Sequence, residues 1–225
     1  MGTAEARDGP NKKARIYEIL RDRIVRGELK PQDYINEQAL CRELGTSKTP
    51  VREALQLLAR NRLVAIVPSK GCFVTSISVD LIREVFEIRE IYECAAARIA
   101  AGFPTRGDFE EILKDHDSYK LGDDEQLRRS LLSGYQIHER IVNASGNSLL
   151  SEHYGTILDH ILRIRIYFLN RFDAKRLSET GEEHKKILRA IMNGDAEEAE
   201  TTMRDHLRRS HENIDYLLLS KRKEK

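Results

Sequence analysis

The sequence predicts a mainly α-helical protein in two parts. Residues 12–77 should form three helices and a β-hairpin, and residues 78–222 a six-helix antiparallel bundle. Three observations predict this. Residues 35–58 carry helix-turn-helix punctuation. The stretch 63–75 switches to β-branched residues around a turn. From residue 78 onward, apolar residues recur at helical spacing with short polar breaks.

The chain begins with a polar stretch, 1–11, holding Gly2, Gly9 and Pro10, expected to be a disordered tail. Residues 12–26 put Ile16, Ile19, Leu20 and Ile24 on one helical face, and Gly27 ends that helix. A loop with the breaker Pro31 follows. Asn36 is placed to cap a short helix bearing Ala39, Leu40 and Leu44. Gly45 suits the left-handed position after it. Ser47 is placed to cap the next helix, and Pro50 falls in its first turn, where no backbone donor is lost. That helix has the apolar face Val51, Ala54, Leu55 and Leu58, leaving Ser47, Lys48, Thr49 and Arg52 on its exposed first turn. A helix-turn-helix reads DNA with such an edge, laid in the major groove. Hydroxyls reach phosphates or bases, and Lys and Arg reach guanine or phosphate. The competing reading is an ordinary helical hairpin with a charged face.

Leu63 to Val67, the turn Pro68-Ser69-Lys70-Gly71 and Cys72 to Thr75 read as a hairpin with a basic tip. Directly after a recognition helix, a hairpin makes a wing. Lys70 and Gly71 then allow close approach to a phosphate or the minor groove. The alternative is a plain two-stranded cap over the helices.

Six helices are expected beyond. Ser78 caps the first, whose face is Leu81, Val85, Ile88, Ile91, Tyr92 and Ala95. Gly102-Phe103-Pro104 breaks it, and a second runs from Thr105 to near Gly122. The third starts at Asp123 or Asp124 and carries Leu127, Leu131, Tyr135, His138 and Val142. The fourth spans about 148–170, the fifth about 174–192, and the last starts with the capping pattern Asp195-Ala196-Glu197-Glu198.

Charge separates the two parts. Charged residues make up 33% of the chain, with a net charge of +1. Residues 1–78 hold 14 Lys and Arg against 9 Asp and Glu, whereas the remainder holds 24 against 28. A basic first third suits a polyanionic partner for that part alone. Trp is absent and aromatics are 6%, which argues against a stacking platform for single strands. Cys41, Cys72 and Cys94 show no metal or redox spacing and suit a reducing cytosol. No signal-peptide core and no uncharged run of membrane-spanning length are present, so the expected location is cytoplasmic.

The order of parts resembles the GntR family of transcription regulators, FadR-like group. The winged-helix match rests on Gly27-Glu28-Leu29-Lys30-Pro31, on Leu40 to Gly45, on Ser47-Lys48-Thr49-Pro50-Val51-Arg52-Glu53-Ala54-Leu55, and on Gly71-Cys72-Phe73-Val74. The second part resembles the FCD ligand-binding domain. That match rests on Phe86 to Glu93, His138 before Ala144-Ser145-Gly146-Asn147, Glu183-His184, and Ala190 to Asp195 running on to His206-Leu207. The resemblance implies a homodimer whose first domain binds double-stranded operator DNA and whose helical domain, 78–222, dimerises and binds a small effector, a carboxylate. It also implies a divalent metal (zinc, nickel or manganese) on His138, His184 and His206. The family's acidic ligand, four residues before the first His, falls on Gly134, and Glu139 is turned about 100° away from His138. Three histidines from separate helices can share one ion in a bundle. The alternative is that they bind effector or solvent without metal.

Arg89 has two readings: a guanidinium facing the effector pocket, or a surface ion pair with Glu93. Asn147 reads as a helix cap. His116, His153, His160 and His211 read as surface groups. Two other function classes compete with the regulator. One is a metal-dependent hydrolase-like enzyme, opposed by the lack of an HExxH pattern or an acid placed to serve the histidines. The other is an architectural DNA-binding protein with an empty pocket.

Overall fold

The computed structural model describes residues 10–103, 109–117, 124–172 and 174–220. The expected tail, Pro104, the helix start at Thr105 and the Gly122-Asp123 break fall wholly or mainly outside them. The chain divides into two compact units between Ser78 and Val79. Among the described residues, no helix is long and apolar enough to cross a membrane.

The first unit packs α1 (Pro10–Val25) on α3 (Lys48–Arg60), with α2 (Glu37–Glu43) beside α3. Ile16, Leu20 and Ile24 of α1 meet Val51, Ala54, Leu55 and Leu58 of α3 in one buried cluster. That is the apolar stripe expected from the spacing. The Asn36 Oδ1 accepts the Ala39 N–H at 3.0 Å and caps α2. Gly45, at φ +59°, turns the chain into α3. Ser47 occupies the cap position of α3 in extended conformation, but its hydroxyl accepts no bond from the first turn.

The hairpin forms as expected, from β2 (Val64–Val67) and β3 (Gly71–Val74), paired antiparallel with Val64 opposite Val74 and Val67 opposite Gly71. A third strand was not anticipated. β1 (Tyr34–Ile35) pairs with the outer edge of β3, giving the order β1-β3-β2. Two residues are too few to show alternation. The strand exists because the loop before α2 offers Val74 backbone partners, Gln32 N–H and Asp33 C=O, each at 3.0 Å.

The second unit contains α4 (Val79–Ala101), α5 (Phe109–Asp117), α6 (Asp124–Ala144), α7 (Ser148–Phe168), α8 (Ala174–Met192) and α9 (Ala196–Ser220). A 3-10 turn, Leu169–Arg171, closes α7 two residues before the expected end. Asn147 caps α7 through the Leu150 N–H at 3.1 Å, and Asp195 caps α9 through the Glu198 N–H at 3.0 Å. α4 packs against α6, α7, α8 and α9, most extensively α9.

The expected inner face of α4 is wrong in its rotation. Ile88, Ile91 and Ala95 are exposed, Ile91 by 65%. The buried side is Ile82, Val85, Phe86, Arg89, Glu93, Cys94, Ala96 and Ala97. Hydrophobic spacing misleads here because the inner face carries an ion pair.

The three thiols differ in access. Cys72 and Cys94 are buried, and burial pushes their thiols up to about 11 and about 12; Cys41 is half-buried. Thiolate is the reactive form. Alkylation of native protein at pH 8 is expected to label Cys41 first and leave Cys72 and Cys94 intact until denaturant is added, as peptide mapping will read.

Candidate functional site

In the first unit, α3 presents Ser47, Lys48, Thr49 and Arg52 on its first turn, all exposed. Pro50 is buried among them and anchors the turn to the core. The sequence did not single out Glu37. Its Oε2 accepts from Arg52 Nε at 2.9 Å, so the guanidinium is held across the two helices before any partner arrives. Lys70 is exposed in the hairpin turn.

Gly71 departs from expectation. It is the first residue of β3, not the open tip, and its φ is +105°. A Cβ there would stand 2.6 Å from the Tyr34 ring. Glycine is required by the packing of Tyr34 and by the backbone, with no external surface needed to explain it.

In the second unit, His138 of α6, His184 of α8 and His206 of α9 meet. They are 2%, 1% and 1% exposed. His138 Nε2 lies 3.3 Å from His184 Nε2 and 3.2 Å from His206 Nε2. The outer nitrogens of two rings face carboxylates. His138 Nδ1 is 2.6 Å from Glu93 Oε2, and His206 Nδ1 is 2.8 Å from Glu183 Oε2. A carboxylate accepts only, so Glu183 holds the proton on His206 Nδ1 and turns that ring's Nε2 lone pair inward, whereas the Glu93 oxygen stands close to His138 Nδ1 without a hydrogen bond to it. The two Nε2 atoms, 3.2 Å apart, are close enough to share a proton or a cation between them. Carboxylate behind imidazole is the arrangement that orients metal-binding histidines. One atom from each of the three lies within 4.8 Å of the others, a set that could hold a metal ion. The donors therefore fit a zinc-like ion with three imidazole ligands and at least one open position.

The acids were the signal missed at the sequence level. Glu93 and Glu183 do serve the histidines, contrary to the expectation that no acid is so placed. Glu93 is fully buried and accepts from Arg89 Nε at 2.7 Å and Tyr154 Oη at 2.7 Å. Burial alone would raise its carboxyl; Arg89 and His138 overcome this and hold it well below the usual range. Glu183 accepts from Arg176 at 2.8 and 3.2 Å. Burial opposes its ionisation too, yet the bonds from His206 and Arg176 bring it down to about 2. Burial lowers His138 to about 3 and lowers His206 as well, so both are neutral at pH 7.

A cavity opens beside His184, bordered by Phe86, Arg89, Gly134, Ile161 and Arg165. Arg89 joins the two expected readings. It borders the cavity and is paired with Glu93, but the pair is buried, not on the surface. At Gly134 a Cβ would stand 3.0 Å from His184 Cε1 and 3.3 Å from an Arg165 Nη. Of the four remaining histidines, His153 is exposed, and His211 is half-buried and stacked on Phe86 with centroids 4.7 Å apart. His160 is buried, against expectation, because α7 turns it inward with Asp159 and Arg163. The His116 side chain lies outside the described residues.

A winged helix with a basic first turn, joined in one chain to a helical unit with a cavity beside its converging histidines, is the build of a transcription regulator. The gntR-family description of bacterial regulatory proteins matches residues 12–74, and the FCD domain matches residues 84–209. The chain belongs to the GntR family of transcription regulators, in the group that carries an FCD domain. Relatives include the transcriptional repressor RspR of Escherichia coli K12, 25% identical over 204 residues, covering 88% of this chain and 87% of its own. The regulator LutR of Bacillus subtilis is 29% identical over 209 residues, covering 82% and 92%. A GntR regulator from Rhodococcus sp. RHA1 shares the fold at TM-score 0.74 and 23% identity, covering 91% of this chain and 97% of that one. E. coli McbR/YncC does so at 0.74 and 21%, covering 92% and 98%. These relatives are regulators, and the enzyme reading is set aside.

Glu93 is the group whose loss should be felt most. Glu93→Ala leaves Arg89 buried without its carboxylate and removes the acceptor facing His138. A cost of about 3–5 kcal/mol is expected, read as a lowered denaturation midpoint of the full chain.

Proposed function

We propose that this regulator binds a two-fold operator as a homodimer and that a small carboxylate effector, held in the helical unit beside a divalent metal, controls its affinity for DNA. The observation that carries the effector half is the inward convergence of three imidazoles with carboxylates behind two of them. His138, His184 and His206 hold the ion; Glu183 fixes the tautomer of His206 and Glu93 lies behind His138. Bound there, the ion supplies an electrophilic centre with an open position for an effector oxygen. Arg89 contributes positive potential to the cavity while tied to Glu93.

The DNA half rests on the exposed first turn of α3. Ser47, Lys48 and Thr49 meet the backbone and base edges, and Arg52 reads a base once it leaves Glu37. Lys70 meets a phosphate from the wing, and Gly71 keeps the wing in shape. One recognition helix contacts few bases, so a selective site calls for two. The exposed isoleucines of α4, Ile88, Ile91 and Ile99, support a second copy as the cover of that face.

Two measurements test this reading. Arg52→Ala should lose about 1–3 kcal/mol on a selected operator and little on random duplex. Lys70→Ala should weaken all duplexes alike and flatten the salt dependence. Wild-type binding by both variants sinks the DNA-contact roles given to Arg52 and Lys70. Separately, His184→Ala should lower the zinc content of purified, zinc-reconstituted protein while sedimentation still shows a dimer that binds operator. Equal zinc in wild type and variant sinks the metal assignment, and a monomer at micromolar concentration sinks the dimer.

A further inference from the structure

Tyr34 is 56% exposed, yet its ring is held on two sides. It packs on the Phe73 ring with centroids 5.4 Å apart and planes tilted by 59°. Its far edge lies over Gly71, where a Cβ would stand 2.6 Å from Cε2 and 3.4 Å from the hydroxyl oxygen. Gly71 has no side chain, so the phenol reaches the end of the hairpin turn, one residue from Lys70. Among the described residues the hydroxyl has no hydrogen-bond partner. A tyrosine held by its ring, with its O–H in water, keeps that donor for an outside partner.

Strand register shows which side of the unit this donor occupies. β1 runs antiparallel to β3, with Tyr34 opposite Phe73 and Ile35 opposite Cys72. It therefore leads toward the hairpin turn as it enters α2. Asn36 caps α2 there, and Glu37 accepts from Arg52 Nε at 2.9 Å. The start of α2 thus joins the root of the wing to the exposed edge of α3. Lys70 is exposed at the same end of the hairpin. A duplex laid along the first turn of α3 brings its sugar-phosphate backbone to this side. Tyrosine hydroxyls, like cations, bond phosphate oxygens in such interfaces.

Resting on the winged-helix reading of the first unit, we infer that Tyr34 is a second DNA contact beside the wing: its hydroxyl donates to a backbone phosphate, so that the duplex is held there by one cation, Lys70, and one neutral donor, Tyr34. The two contacts differ in kind. Lys70 displaces a condensed counterion, and its contribution fades as salt rises. The phenol carries no charge and displaces none, so its contribution persists. Phosphates occur at every base pair, so this contact adds affinity without choosing a sequence.

The test uses the full chain, an operator selected from random duplexes by the wild-type protein, and a random duplex of equal length. Tyr34→Phe keeps the ring on Phe73 and Gly71 and removes only the donor, so its denaturation midpoint should match wild type. Its affinity for both duplexes should fall about three- to tenfold, the worth of one hydrogen bond. The ratio between the duplexes and the salt slope should not change, whereas Lys70→Ala should lower the slope by about one. Ethylation of single operator phosphates should then reveal a position that weakens wild type but no longer weakens Tyr34→Phe. Wild-type affinity in Tyr34→Phe overturns the inference and leaves the DNA reading standing. So does a weaker variant that still senses every phosphate wild type senses, since the loss is then structural. Weakening on the operator alone, or a flattened slope, overturns the neutral phosphate role. Binding of no duplex by wild type overturns the DNA reading and the inference together.

Discussion

A single buried carboxylate governs the helical unit. Glu93 takes bonds from Arg89 on its own helix and Tyr154 on α7, and it faces His138 on α6. An ionised carboxylate away from water costs several kcal/mol and is tolerated only when donors surround it. Those donors come from three helices, so their relative rotations are fixed together. The rotation of α4 follows from this. With Arg89 and Glu93 inside, Ile88 and Ile91 must turn out.

The same carboxylate links fold to chemistry. Its oxygen stands 2.6 Å from His138 Nδ1 and puts negative charge behind that ring. Glu183 accepts from His206 Nδ1 and so turns that ring's Nε2 lone pair toward the trio, and it draws on Arg176 at the cavity edge. The cavity wall and the trio are therefore wired through side chains whose protons are already placed. That is preorganisation: a ligand need not reorder the imidazoles on arrival.

Much of this architecture was legible from the residues. The capping role of Asn36, the Gly45 turn and the apolar stripe of α3 depend on neighbours within one or two turns, so local spacing reveals them. The pairing of β2 with β3 is likewise local. The inward histidines were legible through their apolar flanks and the family resemblance. What escaped depends on contacts between distant segments. Glu93 and Glu183 look like ordinary surface acids until α6, α7 and α9 close on them. His160 looked like a surface group for the same reason. At Gly71 and Gly134 alike, a side chain from elsewhere packs where a Cβ would stand, Tyr34 in one case, Arg165 and His184 in the other.

The Tyr34 ring lies against both Gly71 and Phe73, the latter with ring centroids 5.4 Å apart. Strand β1 is thereby a clasp between the loop after α1 and the root of the wing. The length of the 27–33 segment sets where that clasp closes, and β3 passes the setting on to the hairpin turn. Insertions in this segment should be tolerated less well than a surface loop normally allows, because each added residue would slide Tyr34 off its seat and swing the wing relative to α3.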